Sequence, residues 1–277
     1  MIKNEIAVEQ LQTKPFLRWA GGKTWLLKHL SAVKTLNYKN YHEPFFGGGA
    51  VYFNLSPANN SFLSDLNPTL IETYQAVKED VDSVIEILKT FNNTQENYYL
   101  IRGSEYKDVF QRAAKFIYLN QTSYNGIHRV NLQGKFNVPY GFRKKPFLDE
   151  VALRKASKSL SNATLIHQDF FDSLDHLSKG DLVFLDPPYT VSHNENGFIK
   201  YNEKIFSLDD QIRLSRYIDQ VKEKEAYYIL TNAAHKTIIE IFGKGDRRLE
   251  FSRASTIGGK NAQRGSTKEY IFTNIEL

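Results

Sequence analysis

The stretch that most constrains the fold is residues 183–189, an apolar run that ends in an aspartate, two prolines and a tyrosine. The apolar run predicts a buried strand of a parallel sheet. This strand must end at Pro187, because proline cannot donate to the hydrogen-bond ladder of a sheet. We therefore expect Asp186 at the carboxyl end of a strand, where open α/β sheets bind their ligands.

The same stretch predicts a binding site for a planar amino group. Pro187 and Pro188 restrict the backbone and remove competing N–H groups. The carboxylate of Asp186 and the carbonyl of Pro187 are then fixed acceptors beside the flat ring of Tyr189. A strand that ends in an ordinary proline-rich turn is the alternative interpretation, so the companion motifs must decide.

Composition limits the classes of protein to consider. The chain has 277 residues, 41% of them hydrophobic, which suits one large domain or a domain with an insertion. It has no cysteine, which excludes disulfides and cysteine nucleophiles, and its histidines lack metal-ligand spacing. The start lacks the apolar segment of a signal peptide, and no apolar run approaches the roughly 20 residues that cross a bilayer. We expect a cytoplasmic protein with neither a membrane nor a metal as partner.

Two glycine-containing turns precede expected helices near the amino terminus. The first places Gly21 and Gly22 between Trp19 and Lys23, and the second joins a short strand to a helix through residues 46–49. The first can hold a carboxylate or phosphate, with Lys23 as the cation and Trp19 as a flat face, and at the second the main-chain N–H groups can contact a nucleotide directly. The spacing lacks the full dinucleotide and P-loop signatures, which favours a smaller nucleoside ligand. For the first motif, a simple turn is the alternative.

Acidic residues end two further predicted strands. Asp65 follows an apolar strand and can accept hydrogen bonds from both hydroxyls of a ribose. Asp169 ends an apolar strand that begins near Ala163, where it can accept from a nucleoside amino group while Phe170 lies against the base. Capping of a helix is the alternative role for Asp169.

The middle of the chain, residues 68–148, breaks the alternation of strands and helices and predicts a small helical insert. We expect one long amphipathic helix from Pro68 to Leu88 and another from Glu105 to Asn120. Residues 112–145 contain seven Lys or Arg and no acid. Aromatic residues interleave with these charges, as is typical of a nucleic-acid surface, and they are Tyr118, Tyr124, Phe136, Tyr140 and Phe142. A solvated basic hairpin whose tyrosines pack on the helices is the alternative.

A turn predicted at Asn125 and Gly126 lies between two residues that can contact DNA bases. Tyr124, just before the turn, can wedge into a base stack. Arg129, just after it, can donate two hydrogen bonds to a guanine, which discriminates between bases by about 1–3 kcal/mol.

The last part of the chain predicts helices, strands and two loops. Residues 190–206 form a polar loop long enough for a lid, and Ser207 and Asp210 resemble a capping box that begins a helix. A strand at residues 226–231 and two closing strands should follow. The basic loop between the closing strands, residues 252–268, is a candidate contact for backbone phosphate.

In content and order, these motifs resemble the Dam family of DNA adenine methylases, from about Lys14 to Thr273. The resemblance implies an α/β fold, with a Rossmann-like methyltransferase sheet that has helices on both faces. Residues 1–67 and 149–277 would form this catalytic domain. Residues 68–148 would form an inserted target-recognition domain, small and helical, with a β-hairpin.

The resemblance also implies S-adenosyl-L-methionine as the methyl donor. Asp65 would bind its ribose, and Asp169 and Phe170 would hold its adenine. The other implied cofactor contacts are Trp19, Ala20, Gly21, Gly22, Lys23, Phe46, Gly47, Gly49 and Asp186.

The implied reaction methylates N6 of an adenine in double-stranded DNA. Asp186 and the Pro187 carbonyl would accept from the amine and localise its lone pair for in-line attack on the methyl group. The adenine would be flipped out of the duplex and stacked on Tyr189. Pro188 completes the catalytic motif, and neither a metal nor a covalent enzyme intermediate is required.

Arg129 matches the family's guanine-reading arginine and implies a GATC-like target. Residues 121–123 depart from the family pattern, which puts the outer bases in doubt. The implied DNA contacts are Arg18, Tyr124, Asn125, Ile127, Arg129, Asn131, Pro139, Arg143 and Lys144.

We expect a monomer or weak dimer, with a cognate restriction endonuclease as a candidate partner. Two other classes stay open. One is a methyltransferase for another planar amine, such as an RNA base or a protein glutamine, and the other is a non-catalytic DNA-binding homologue.

Overall fold

The structure, a computed structural model, describes residues 13–131, 133–189, 206–254 and 266–276. Its described strands form one seven-stranded sheet in the order β3-β2-β1-β4-β5-β7-β6. The first five strands in this order are parallel to one another, whereas β7 is antiparallel to both β5 and β6. The strands are β1 Tyr41–Glu43, β2 Ser61–Asp65, β3 Ala163–His167, β4 Leu182–Leu185, β5 Tyr227–Ala233, β6 Arg247–Ala254 and β7 Ser266–Thr273.

Helices connect most of these strands. The helix predicted after the capping box is α8, where Ser207 and Asp210 cap each other as expected. Three 3-10 helices cover Leu26–His29, Tyr124–Gly126 and Phe170–His176. The α-helices are α1 Ser31–Thr35, α2 Ala50–Leu55, α3 Pro68–Glu79, α4 Val81–Lys89, α5 Gln95–Gly103, α6 Val109–Thr122, α7 Glu150–Ser159, α8 Leu208–Glu223 and α9 Lys236–Phe242.

Two predicted loops fall largely outside the described residues. Of the lid predicted at residues 190–206, only Phe206 is described. The basic loop predicted at residues 252–268 begins within β6 and ends within β7, and its centre, residues 255–265, is not described.

The chain divides into two compact units. The helical unit comprises Met1–Gly22, Gly47–Ala58 and Thr69–Asn162, and the sheet unit comprises Lys23–Phe46, Asn59–Pro68 and Ala163–Leu277. The sheet unit contains all seven strands. The expected limits of the insert, residues 68 and 148, stay a prediction.

The central strands of the sheet unit are buried on both faces. All four residues of β4 are buried, as expected for a parallel strand that is covered on each side. On one face, Val183 and Leu185 join a core formed with Tyr228 and Leu230 of β5 and with side chains from α8, α9 and residues 170–176. The alternating residues of β4, Leu182 and Phe184, are buried on the other face. The predicted α/β class with a Rossmann-like sheet is confirmed.

A buried carboxylate fixes the start of β4 next to β1. Asp181 accepts from the main-chain N of Asn40 at 3.1 Å, from its side-chain amide at 2.9 Å, and from the main-chain N of Ser178 at 2.9 Å. His42 Nε2 lies 2.9 Å from the same carboxylate. Burial raises the pKa of Asp181, but the hydrogen bonds from His42, Ser178 and Asn40 outweigh it and lower the pKa below its ordinary value.

The helical unit departs from the sequence-based prediction in its helix boundaries. The helix expected from Pro68 to Leu88 is two helices, because Asp80 leaves the helical conformation and caps α4 by accepting from Ser83 N. The helix expected from Glu105 begins only at Val109, after the cap residue Asp108. The helix α5 was not predicted.

The hairpin of the helical unit is short. Val130 and Phe136 form an isolated antiparallel bridge, and the main-chain N of Asn131 donates to Lys135 O at 2.9 Å. The turn predicted at Asn125 is a separate 3-10 turn, in which this residue has a left-handed φ of 55°. The chain therefore reverses after Asn131, later than the sequence suggested.

Among the described residues, none of the helices is both long enough and apolar enough to cross a membrane.

We expect Asp181→Ala to lower the free energy of unfolding by about 3 kcal/mol, because it leaves buried donors without their acceptor. Urea unfolding followed by circular dichroism measures this change. Since the pKa of Asp181 is lowered in the folded state, its stabilisation is present above the ordinary carboxyl pKa of about 3.9. It is lost as the pH falls through the lowered value, so the two proteins should converge in acid.

The matched control is Asp219→Ala, which removes a surface ion pair with Lys244. It should change stability little, because exposed ion pairs contribute little. Equal losses in the two variants would contradict the structural role of Asp181.

Candidate active site and nucleic-acid interface

Three of the predicted acids lie along one edge of the sheet unit. Asp65 ends β2, Asp169 lies just after β3, and Asp186 follows β4, and these strands run parallel with β1 between β2 and β4. The chain order reverses between β1 and β4, which makes that position the topological switch point of the sheet. Open α/β sheets bind ligands in the crevice at this point.

Asp186 is held through a single carboxylate oxygen. Its Oδ1 lies 2.8 Å from Lys23 Nζ and accepts from Thr231 Oγ1 at 2.8 Å. The Asp186 side chain keeps 20% of its exposure, and Pro187 is buried. Burial raises the pKa of Asp186, while the Lys23 ammonium and the Thr231 hydroxyl oppose that rise. The arrangement fixes the direction of the carboxylate where its strand ends.

Tyr189 is anchored by an acid that the sequence did not single out. Its hydroxyl donates to Glu269 Oε2 at 2.7 Å. Glu269 lies on β7, has a fully buried side chain, and stands 4.0 Å from Lys23 Nζ. The ammonium also lies 4.8 Å from the centre of the Tyr189 ring. Burial, with Asp186 and Glu269 nearby, raises the pKa of Tyr189 well above its ordinary value, so the phenol stays protonated near neutral pH.

Asp169 has the capping role that the sequence offered as an alternative. It accepts from Phe171 N at 2.9 Å and pairs with Arg213 Nη2 at 2.9 Å. Phe170 is buried, stacks on Phe45 with ring centres 5.2 Å apart, and lies under the Arg213 guanidinium. A contact of Asp169 and Phe170 with adenine stays a prediction.

Two further predicted residues lie where β1 and β2 end. The partly exposed Asp65 accepts from Asn67 N at 2.9 Å. Phe46 is buried, and its main-chain N donates to Ser64 O at 2.9 Å. These bonds hold the segments that follow the two strands.

In the helical unit, the glycine turn packs against Trp19. A Cβ atom added to Gly47 would lie 2.9 Å from Trp19 Cδ1, and one added to Gly48 would lie 2.9 Å from Trp19 Cβ. The indole also stacks on His128, with ring centres 5.7 Å apart. Gly47 and Gly48 therefore leave space for the Trp19 indole. This packing role of the glycines was not predicted from the sequence. The neighbouring predicted residues Ala20, Gly21 and Gly22 are exposed, and Gly49 is buried before α2.

The five aromatic residues of the basic region have different environments. Tyr118 and Tyr140 are buried, and their hydroxyls donate to Asn92 O and Asn93 O. Phe136 is half-buried, whereas Tyr124 is 57% exposed and Phe142 68% exposed. The alternative interpretation, in which the tyrosines pack on the helices, thus holds for Tyr118 and Tyr140, whereas Tyr124 and Phe142 face solvent.

The exposed Tyr124 sits on a turn that hydrogen bonds fix. Its main-chain N donates to Pro139 O at 2.9 Å, and Gly141 N donates to Thr122 O at 2.9 Å. Ile127 next to the turn is also exposed. Phe142 has a φ of 52°, which is strained for a bulky side chain. The segment therefore presents apolar side chains to solvent on a constrained backbone.

The predicted DNA-binding cations are partly held by neighbouring amides. Arg129 Nε donates to Asn137 Oδ1 at 2.9 Å, and Arg143 Nη1 donates to Gln121 Oε1 at 3.1 Å. Burial and the charge of Arg143 lower the pKa of Arg18. Asn125, Asn131, Pro139 and Lys144 are exposed.

No group of three or more His, Cys, Asp or Glu suited to a metal ion occurs in the part of the chain that the structure describes.

We expect Gly47→Ala to displace the Trp19 ring, because the added methyl would lie within 3 Å of it. The chain has two tryptophans, so a Trp25→Phe background leaves only Trp19. The fluorescence emission of Trp19 in this background measures the change. Gly134→Ala is the matched control: it is also left-handed, with φ of 74°, but has open space around the position. In both variants, backbone strain should lower the free energy of unfolding by about 1–2 kcal/mol. Unchanged Trp19 emission in Gly47→Ala would contradict the packing.

Residues 19–257 match the family model described as D12 class N6 adenine-specific DNA methyltransferase. Type II methyltransferase M.MjaIII of Methanocaldococcus jannaschii is 37% identical over 257 residues, which cover 84% of this chain and 88% of that protein. Type II methyltransferase M1.LlaDCHI of Lactococcus lactis subsp. cremoris is 32% identical, with 98% and 99% covered. The DNA adenine methylase of Escherichia coli (strain K12) is 32% identical, with 82% and 83% covered. The family resemblance of the sequence motifs is confirmed, and the chain belongs to the D12 class N6 adenine-specific DNA methyltransferases.

Proposed function

We propose that this chain transfers a methyl group from S-adenosyl-L-methionine to N6 of an adenine in duplex DNA. The observation that carries the proposal is the position of Asp186 at the switch point of the sheet, where Lys23 and Thr231 fix its carboxylate. Membership of the family supports adenine in DNA as the substrate.

The chemistry of the amine explains why these residue types are needed. Adenine N6 is a poor nucleophile, because its lone pair is delocalised into the ring. The Asp186 carboxylate and the Pro187 carbonyl accept from its two N–H groups and favour a localised lone pair. The Tyr189 ring, held by its hydroxyl, offers the flipped base a flat face on which to stack. Orientation by fixed acceptors then supplies most of the rate enhancement.

The residues of the sheet unit suit S-adenosyl-L-methionine, which when bound supplies an electrophilic methyl group on a sulfonium. Asp65 lies partly exposed at the end of β2, and an ionised carboxylate there suits the two hydroxyls of a ribose, because it accepts hydrogen bonds at both of its oxygens. The carboxylate of Asp186, at the end of β4, also suits a cationic ligand such as a sulfonium. The other cofactor contacts named from the sequence stay predictions.

We assign recognition of DNA to the exposed segment of the helical unit. Tyr124 is a candidate wedge, since its turn is already fixed by hydrogen bonds and needs little ordering on binding. Arg129 is a candidate reader of guanine, because a guanidinium has five donors and the bonds to Asn137 orient it without exhausting them. A GATC-like site is the target that this assignment favours.

The decisive test is transfer of a labelled methyl group to duplex DNA, followed by nucleoside analysis. We expect N6-methyladenine. Asp186→Ala should lower turnover by about 100-fold or more, because a fixed acceptor is lost, while binding of duplex DNA persists. Asp175→Asn, which changes an exposed acid of the 3-10 helix at residues 170–176, should leave both unchanged.

Other outcomes separate the alternatives. Label found only on RNA or protein would refute the proposal in favour of another planar amine. Binding of DNA without transfer to any substrate would favour a non-catalytic homologue. Unchanged methylation by Asp186→Ala would remove this residue from its role.

We expect Tyr124→Ala to weaken specific DNA binding by about tenfold or more, because base–aromatic stacking contributes about 1–3 kcal/mol. Sequencing of modified bases in cells that express the chain first identifies the target. Binding and 2-aminopurine fluorescence at the target adenine then report affinity and base flipping. Tyr99→Ala is the matched control, since Tyr99 is an exposed tyrosine on α5 outside the basic segment. Equal effects of the two substitutions would count against the wedge.

A further inference from the structure

Glu269 is an acid in a position where the fold alone would favour an apolar residue. Its side chain is fully buried on β7, next to the buried core residues Ile271 and Phe272. It pairs with Ala233 of β5 on one side and with Phe251 of β6 on the other. Burial of a carboxylate is costly, and replacement of a buried ion pair by packed apolar side chains is often neutral or stabilising. The stability of the sheet therefore does not explain this acid.

The contacts of Glu269 lead to the proposed active site. One carboxylate oxygen, Oε2, accepts from the Tyr189 hydroxyl at 2.7 Å and lies 4.0 Å from Lys23 Nζ. Lys23 in turn contacts Asp186 Oδ1 at 2.8 Å and lies over the Tyr189 ring. The acid thus joins the stacking ring and the cation that orients the acceptor carboxylate.

Tyr189 needs such an anchor because the prolines fix only one end of it. Pro187 and Pro188 restrict the backbone that enters Tyr189, but rotation about χ1 would still swing the ring to another position. A hydrogen bond at the hydroxyl holds the far end of the ring and so limits χ1, the torsion that swings the ring. The ring is then oriented before a base arrives, and preorganisation of this kind lowers the cost of binding.

We propose that Glu269 is a positioning residue for methyl transfer, which holds the Tyr189 ring in place through the phenol hydroxyl and also holds the Lys23 ammonium. This inference rests on the proposed function. It names a residue of that site which acts through Tyr189 and Lys23 without contacting the substrate.

The test is a double-mutant cycle on the full chain, with Glu269→Leu, Glu269→Gln, Tyr189→Phe and their combinations. Leucine removes the acceptor, glutamine keeps an acceptor for the phenol but loses the charge, and phenylalanine keeps the ring but loses the donor. The readouts are kcat and KM for duplex DNA, and 2-aminopurine fluorescence of the target base. Glu250→Gln is the matched control, because Glu250 is an acid on β6 whose side chain is 42% exposed and pairs with Lys268.

We expect Glu269→Leu to lower kcat about tenfold or more, with little change in KM, because the Tyr189 phenol loses the carboxylate that accepts from it. Glutamine should recover much of the rate. In the Tyr189→Phe background, Glu269→Leu should lower kcat by a clearly smaller factor than it does in the wild type. The single substitution Glu269→Leu should also change the 2-aminopurine fluorescence of the target base. Glu250→Gln should behave as the wild type.

Several outcomes would overturn the inference. One is an equal loss of kcat from Glu269→Leu in both Tyr189 backgrounds, and another is an unchanged kcat. If the leucine variant fails to fold, Tyr189→Phe decides, since it removes only the donor of the same hydrogen bond, and unchanged kcat and 2-aminopurine fluorescence in that variant would overturn the inference. A wild-type chain that methylates no DNA would instead refute the proposed function, so the two failures are distinguishable.

Discussion

The candidate site depends on a carboxylate held at the end of a strand that is buried on both faces. Burial of Asp186 raises its pKa, and the Lys23 ammonium and the Thr231 hydroxyl oppose that rise at a single oxygen without cancelling it. The pairing of the sheet brings one of these donors into place. Because Leu185 of β4 pairs with Leu230 of β5, the next residue of β5, Thr231, lies beside Asp186. The orientation of the Asp186 carboxylate thus follows from the register of β4 and β5, which places the Thr231 hydroxyl beside it. The prolines end the strand directly after this position.

The strands and the capping box were predictable because their signals are local. An apolar run that ends at a proline or an acid, and a serine three residues before an aspartate, carry the information within a few residues. Helix boundaries in the helical unit were less predictable. Asp80 lies within an apolar periodicity that continues on both sides, and its tendency to cap competes with that pattern. The helix α5 escaped prediction because it buries few side chains, chiefly Tyr98 and Ile101.

The site itself was only partly predictable, since several contacts join distant parts of the chain. The sequence indicated Asp186 and Tyr189, but it could not indicate Glu269, which is 80 residues from its partner Tyr189. An acid in an apolar strand was the available signal, and it has no meaning until the partner is known. Among the aromatic residues of the basic region, charge pattern alone could not separate the buried Tyr118 and Tyr140 from the exposed Tyr124. That distinction depends on which face of each element packs inward.

The discontinuous make-up of the helical unit has a consequence for engineering. Tyr74 on α3 packs against Phe16, with ring centres 5.2 Å apart, and against Phe53, at 6.3 Å. These rings come from three separate stretches of the chain. A graft of one contiguous cassette between relatives would therefore strip a core tyrosine of its neighbours, whereas exchange of residues 124–131 alone would leave that aromatic cluster whole. Redesign of sequence preference is thus best confined to the short exposed segment.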